Sequence, residues 1–117
     1  VKSHKIVIEN ERPLSWNQLY SGKHWSVRKD EADRVHWLVK ANLDPEVKIN
    51  GLVDITLIAY FDKYALDADN ISAKFYIDGL VGEWIEDDRR AFVRRVCTQS
   101  EIDRDNPRVE IVVTEID

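Results

Sequence analysis

Leu52-Val53-Asp54-Ile55-Thr56-Leu57-Ile58-Ala59-Tyr60-Phe61 is the stretch whose pattern decides the fold. Val53, Ile55, Leu57, Ala59 and Phe61 fall on alternate positions. Successive strand residues point to opposite faces, so this period of two predicts one buried face. Upstream, Lys5-Ile6-Val7-Ile8-Glu9 is short and β-branched and reads as a first strand. Downstream, Ala91 to Cys97 and Arg108 to Glu115 read as two more strands, with Asp103 to Pro107 turning between them.

Two helices fit between these strands. Ser26 is placed to cap one running to about Asn42, with Asp30 and Glu31 early in it and Lys40 late. Val35, Leu38, Val39 and Ala41 give it a partial apolar face, and Asp44-Pro45 ends it. The second spans about Ile71 to Val81, with Ala73, Ile77 and Leu80 on one side and Gly82 placed to stop it. Arg12 to Asn17 reads as a loop because Pro and Ser/Asn punctuate it. The expectation is a single α+β domain over residues 1–117, two helices on a small mixed sheet.

Composition bounds the function. The chain has 117 residues, 44% of them apolar, which is an ordinary folded domain and not a disordered tail. No run approaches the roughly 18 apolar residues that span a bilayer, and no basic-then-apolar leader opens the chain. The expected location is therefore intracellular and cytoplasmic. Cys97 is the lone cysteine, which excludes an intrachain disulfide or a cysteine-rich zinc site; its apolar neighbours suggest packing. With four Gly there is no phosphate-cradling loop, and no Ser or Cys nucleophile motif appears. His36, beside Trp37, reads as a helix-surface histidine.

Asp67-Ala68-Asp69-Asn70 lies where the confident strand gives way to a helix. On an extended backbone, Asp67 and Asp69 project to the same side and can address one point. Hard carboxylate oxygens suit Mg²⁺ or Mn²⁺. Asp87-Asp88 after the second helix can bring in a third carboxylate. The plainer alternative is an Asx turn and helix cap, with Asp69 or Asn70 satisfying free N–H groups. An EF-hand is excluded because Ile71 and Ser72 stand where the calcium loop needs a ligand and a Gly. Lys74 and Asp78 are spaced as an i,i+4 pair, and Asp87-Asp88-Arg89-Arg90 alone would be a solvated turn.

Taken together, these pieces resemble the RusA family of Holliday junction resolvases, found in phages and prophages. The family's signature is Asp-x-Asp-Asn, a Lys, Asp-(Ala/Gly)-Leu and a paired Asp-Asp. Here it reads Asp67-Ala68-Asp69-Asn70, Lys74, Asp78-Gly79-Leu80 and Asp87-Asp88. Pro13-Leu14-Ser15-Trp16-Asn17, with Tyr20 and His24-Trp25, is similar to the family's upstream loop. The resemblance implies that Asp67, Asp69 and Asp88 hold Mg²⁺ and that Lys74 completes the catalytic set. It implies a homodimer that cuts the phosphodiesters of four-way DNA junctions with metal-activated water. The family places its Lys three residues after the Asn, whereas here Ala73 holds that place. Either the helix starts later or Lys74 is rotated away from the site.

DNA contact is expected from Arg89 and Arg90, and from Lys23, His24 and Arg28 with Trp25 available for stacking. Arg94 and Arg95, adjacent on a strand, are expected on opposite faces. The net charge of −5, from 22 acidic and 17 basic residues, runs against the basic footprint of a nucleic-acid binder. That imbalance keeps open a second possibility, a RusA-like dimer that binds branched DNA or a protein partner without cutting.

Overall fold

A computed structural model describes residues 2–20, 22 and 24–116. The elements in chain order are β1 (Ser3–Glu9), α1 (Trp16–Tyr20), α2 (Trp25–Asn42), β2 (Val53–Phe61), a 3-10 turn (Ala68–Asn70), α3 (Lys74–Leu80), β3 (Val93–Ile102) and β4 (Arg108–Glu115). The strands form one mixed sheet in the order β1-β4-β2-β3. β4 is antiparallel to both of its neighbours, and β2 runs parallel to β3. The α+β class and the single domain therefore hold, with three helices where two were expected.

The alternation in β2 does what its period demands. Val53, Ile55, Leu57, Ala59 and Phe61 are all buried, while Asp54, Thr56, Ile58 and Tyr60 are half-exposed on the other face. Ile6 and Ile8 of β1 and Val109, Ile111 and Val113 of β4 join the same buried layer. Each such side chain contributes roughly 1.5–3 kcal/mol of apolar burial. α2 and α3 cover this face through Val35, Val39, Phe75, Ile77 and Leu80. They pack so closely that a Cβ on Gly79 would stand 3.0 Å from Cβ of Val39. The opposite face carries polar and half-exposed groups, among them Arg108 lying 3.7 Å over the ring of Tyr60.

Several boundaries differ from expectation for identifiable reasons. Trp16 and Asn17, expected in the loop, instead open a helix that runs to Tyr20, because Ser15 and Gln18 make a reciprocal cap. Gln18 N donates to Ser15 Oγ at 3.0 Å, and Ser15 N donates to Gln18 Oε1 at 2.8 Å. α2 starts one residue before Ser26 and is capped by His24, whose Nδ1 accepts from Ser26 N at 3.2 Å. Nδ1 hangs from Cγ as Oδ1 of Asn does, so the ring can occupy an Asn-like capping role. α3 starts at Lys74, three residues late, because the backbone of Ile71 is held in an antiparallel bridge with Ser15. Gly82, at φ +81, does sit just past its end.

β3 continues to Ile102, well beyond Cys97, since β2 offers it partners as far as Phe61. Cys97 is half-exposed on β3 opposite Thr56. The register of β2 and β3 shifts between Val53 and Asp54. Arg94 is the extra residue there, so strict alternation fails and its guanidinium reaches Asp54, at 2.7 and 3.0 Å. Arg95, the register partner of Asp54, also acts electrostatically on its carboxyl; the two arginines are not divided between faces as expected.

Glu11 links the loop after β1 to both covering helices. It is buried, takes two hydrogen bonds from Arg34 of α2 and one from the hydroxyl of Tyr76 of α3 at 2.5 Å. Arg34 also pairs with Glu31. Among the described residues, no helix is long and apolar enough to cross a membrane.

Candidate active site

The acidic loop is hung on the edge strand β3. Ser100 Oγ donates to the carbonyl of Leu66 and Thr98 Oγ1 to that of Ala68, both at 2.6 Å. Two residues apart on β3, these hydroxyls grip two carbonyls two residues apart on the loop. Asp67 lies between them with extended backbone, and its own carbonyl accepts from Asn70 N at 2.9 Å to close the 3-10 turn. Asp67 and Asp69 are both exposed.

This geometry corrects one premise. Residues 68–70 are wound, not extended, so strand alternation does not align Asp67 with Asp69. A 3-10 turn advances about 120° per residue, which separates positions two apart. The helix-cap alternative also fails. The side chain of Asp67 caps nothing, and α3 is preceded by Ala73 with no side-chain cap. The carboxylates of the loop are therefore not engaged in capping.

Asp87 and Asp88 have distinct surroundings. The carboxylate of Asp87 accepts the backbone N–H of Asp88 at 2.8 Å and forms an ion pair with Arg89, whose Nε stands 3.1 Å away. Asp88 instead lies beside Asp78 of α3. Burial raises the Asp78 carboxyl above its ordinary value, Lys74 opposes that, and the hydrogen-bonding proximity and charge of Asp88 raise it further. Lys74 Nζ stands 3.7 Å from Asp78 Oδ2. α3 begins at Lys74, so the backbone between Asn70 and this lysine is not α-helical.

His36 of α2 completes this group and corrects its surface reading. Its ring is half-buried, edge-on to Phe75 at 6.5 Å, and its Nε2 is buried without a hydrogen-bond partner. It is close enough to act electrostatically on Asp78. The signal in the sequence was its place between the buried Val35 and Val39, at the margin of the apolar stripe.

Two subsets thus emerge: Asp67 with Asp69 on the turn, and Asp78 with Asp88, Lys74 and His36 along α3. Among the described residues, no three His, Cys, Asp or Glu side chains are gathered as a metal-holding group. The donors themselves are hard oxygens, which suits an ion such as Mg²⁺ that binds one or two carboxylates and keeps several waters.

The expected DNA contacts are distributed unevenly. Arg89 is held by Asp87 and lies 5.1 Å from the ring centre of Phe92, while Arg90 is exposed. His24 caps α2 and lies against Trp25, at 5.4 Å. Arg28 lies 4.9 Å over the ring of Tyr20. Lys23 falls outside the described residues. Compared with protein-family models and with curated proteins, the chain matches none.

Proposed function

We propose that this chain is a Mg²⁺-dependent endonuclease of RusA type, cutting phosphodiesters in four-way DNA junctions as a homodimer. The observation that carries the reading is the division of labour between Asp87 and Asp88. Asp87 is occupied by its own turn, while Asp88, the member the signature assigns to the metal, lies beside Asp78. The absence of a capping role for Asp67 adds to it.

Asp67, Asp69 and Asp88 would hold the ion, which when bound supplies Lewis acidity and activates water for hydrolysis. Lys74, paired with Asp78, would supply a positive charge to meet the charge that builds on a phosphoryl oxygen. Asp78 anchors Lys74 and neighbours Asp88. A two-fold dimer matches the two-fold symmetry of the junction and permits paired cuts.

The test is a synthetic four-way junction incubated with and without Mg²⁺, using wild type and Asp69→Asn. Cutting that needs Mg²⁺ and vanishes in Asp69→Asn is expected; equal cutting by both proteins sinks the assignment. The second reading, a non-catalytic RusA-like module binding branched DNA or a protein, is favoured by the separation of the carboxylates into two subsets. It predicts that the junction is shifted in a gel but never nicked.

A further inference from the structure

Three of the four tryptophans are surface residues: Trp16 is 38% exposed, Trp25 59% and Trp37 69%, while Trp84 is only 2% exposed. Trp16 is the informative one, because it stacks on Tyr20, with ring centres 5.7 Å apart and planes 30° from parallel. The guanidinium of Arg28 in turn lies over Tyr20. Trp16, Tyr20 and Arg28 therefore form a continuous stack on the surface of the α1–α2 corner. Tyr20 is itself 45% exposed.

Nothing in the core requires this arrangement. α1 is anchored by Leu19, 1% exposed, and by the reciprocal cap of Ser15 and Gln18. Trp16 and Tyr20, four apart, turn their rings away from that anchor. The location matters as much as the chemistry. Ser15, the residue before Trp16, is bridged to Ile71, two residues beyond Asp69. The stack thus starts beside the loop that carries Asp67 and Asp69.

We infer that Trp16, Tyr20 and Arg28 form a platform that stacks an unpaired nucleobase next to the proposed cutting site. This rests on the nuclease reading above and specifies what part of the DNA the protein grips. Aromatic faces flanked by a cation are the chemistry of single-strand binding, and every base has a face to stack. The stacking share of such binding comes from the base and ring faces and not from net charge, so a chain carrying −5 can still supply it. Stacking also gives a reason to prefer a branch point, where the continuous base stack is interrupted and a base is more easily splayed out, over continuous duplex.

The full chain is titrated with oligothymidylate and with an abasic strand of equal length, following tryptophan fluorescence. Oligothymidylate quenches the wild type saturably and the abasic strand does not. Trp16→Ala and Tyr20→Ala each weaken binding about tenfold, whereas Trp16→Phe stays near wild type. Equal binding of both strands, or unchanged binding in both alanine variants, overturns the platform. Mg²⁺-dependent junction cutting without base-dependent binding also overturns it while leaving the nuclease standing. Base-dependent binding without any cut supports the platform and removes the nuclease. Self-association lost in Trp16→Ala with oligothymidylate binding unchanged assigns the stack to a second copy and overturns the inference.

Discussion

The hydroxyl of Thr98 donates to the carbonyl of Ala68 at 2.6 Å, tying the centre of the acidic loop to the edge strand. With Ser100 and Leu66 repeating the contact one step along, the position of Asp67 is set by β3 as much as by its own loop. Thr98→Val and Ser100→Ala should each cost about 1 kcal/mol of stability, the usual net value of such a bond. Together they should lower junction cutting more than this loss explains, because the loop is released. Urea unfolding alongside single-turnover rates checks both halves. A rate unaffected in the double variant would mean that the loop holds itself.

Asp87→Asn and Asp88→Asn separate adjacent, chemically identical side chains. Asp88→Asn should abolish Mg²⁺-dependent cutting with little change in stability. Asp87→Asn should loosen the turn with Arg89, cost about 0.5 kcal/mol, and leave cutting within a few-fold of wild type. Equal loss in the two variants would remove the distinction on which the site assignment leans.

Asp78 is raised by burial first and by Asp88 in addition. Its folded value lies above its unfolded one, so its contribution to stability is full at low pH and declines as pH rises through the folded value. At neutral pH the ionised group is a cost. Asp78→Asn is therefore expected to raise the melting temperature of metal-free protein at pH 7 by about 2 °C, and to impair cutting. Stability exchanged for a charged cluster is common at active sites. A lowered melting temperature at pH 7 would show that Lys74 outweighs the other neighbours.

Burial pushes the phenol of Tyr76 well above its ordinary value, and the charge of Glu11 adds to the shift. The neutral phenol is the folded form, so its stabilising effect is complete below about pH 10 and is lost as pH climbs beyond. Tyr76→Phe should cost about 1–2 kcal/mol at pH 7, since Glu11 keeps Arg34 but loses a donor. The same variant should flatten the alkaline limb of the stability curve. Thermal unfolding from pH 7 to 11 is the measurement.

Gly79→Ala sets two effects against each other. Alanine gains about 1 kcal/mol of helix propensity, but its Cβ would meet Cβ, Cγ2 and Cγ1 of Val39 at 3.0, 3.2 and 3.3 Å. Those atoms sit close to the backbone of α2 and cannot swing aside. The variant should be destabilised by about 1 kcal/mol net. Val39→Ala beside it should recover the propensity gain, which a double-mutant cycle resolves.

The parts legible in the sequence were those with a dominant local signal. β2 announced itself by alternation, β4 by its run from Arg108 to Glu115, and the end of α2 by Asp44-Pro45. The parts that were not legible depend on partners remote in sequence. Ile71 is apolar and helix-compatible, yet Ser15 holds it extended, so α3 starts late. Thr98 and Ser100 look like loop residues until β2 and the acidic loop engage them. For the site, the residue types of Asp67, Asp69 and Asp88 were visible at once, but the winding of 68–70 was not. α1 is the exception: Ser15-Trp16-Asn17-Gln18 carried its capping signature openly, and the turn-forming residues around it masked the signal.

The position of β4 between β1 and β2 has a consequence for how the molecule comes into being. The two strands that flank it are made first, yet neither hydrogen-bonds the other, and only Arg108–Glu115 joins them. A nascent chain lacking those residues can pair β2 with β3 and hang the acidic loop, but its apolar face remains open on one side. Completion must wait for the last strand, and its insertion involves contacts as distant as Ser3 with Thr114. Long-range pairing of that kind is slow. An order of assembly follows: the half of the sheet bearing the carboxylate loop can form early, and the strand that seals the core arrives last.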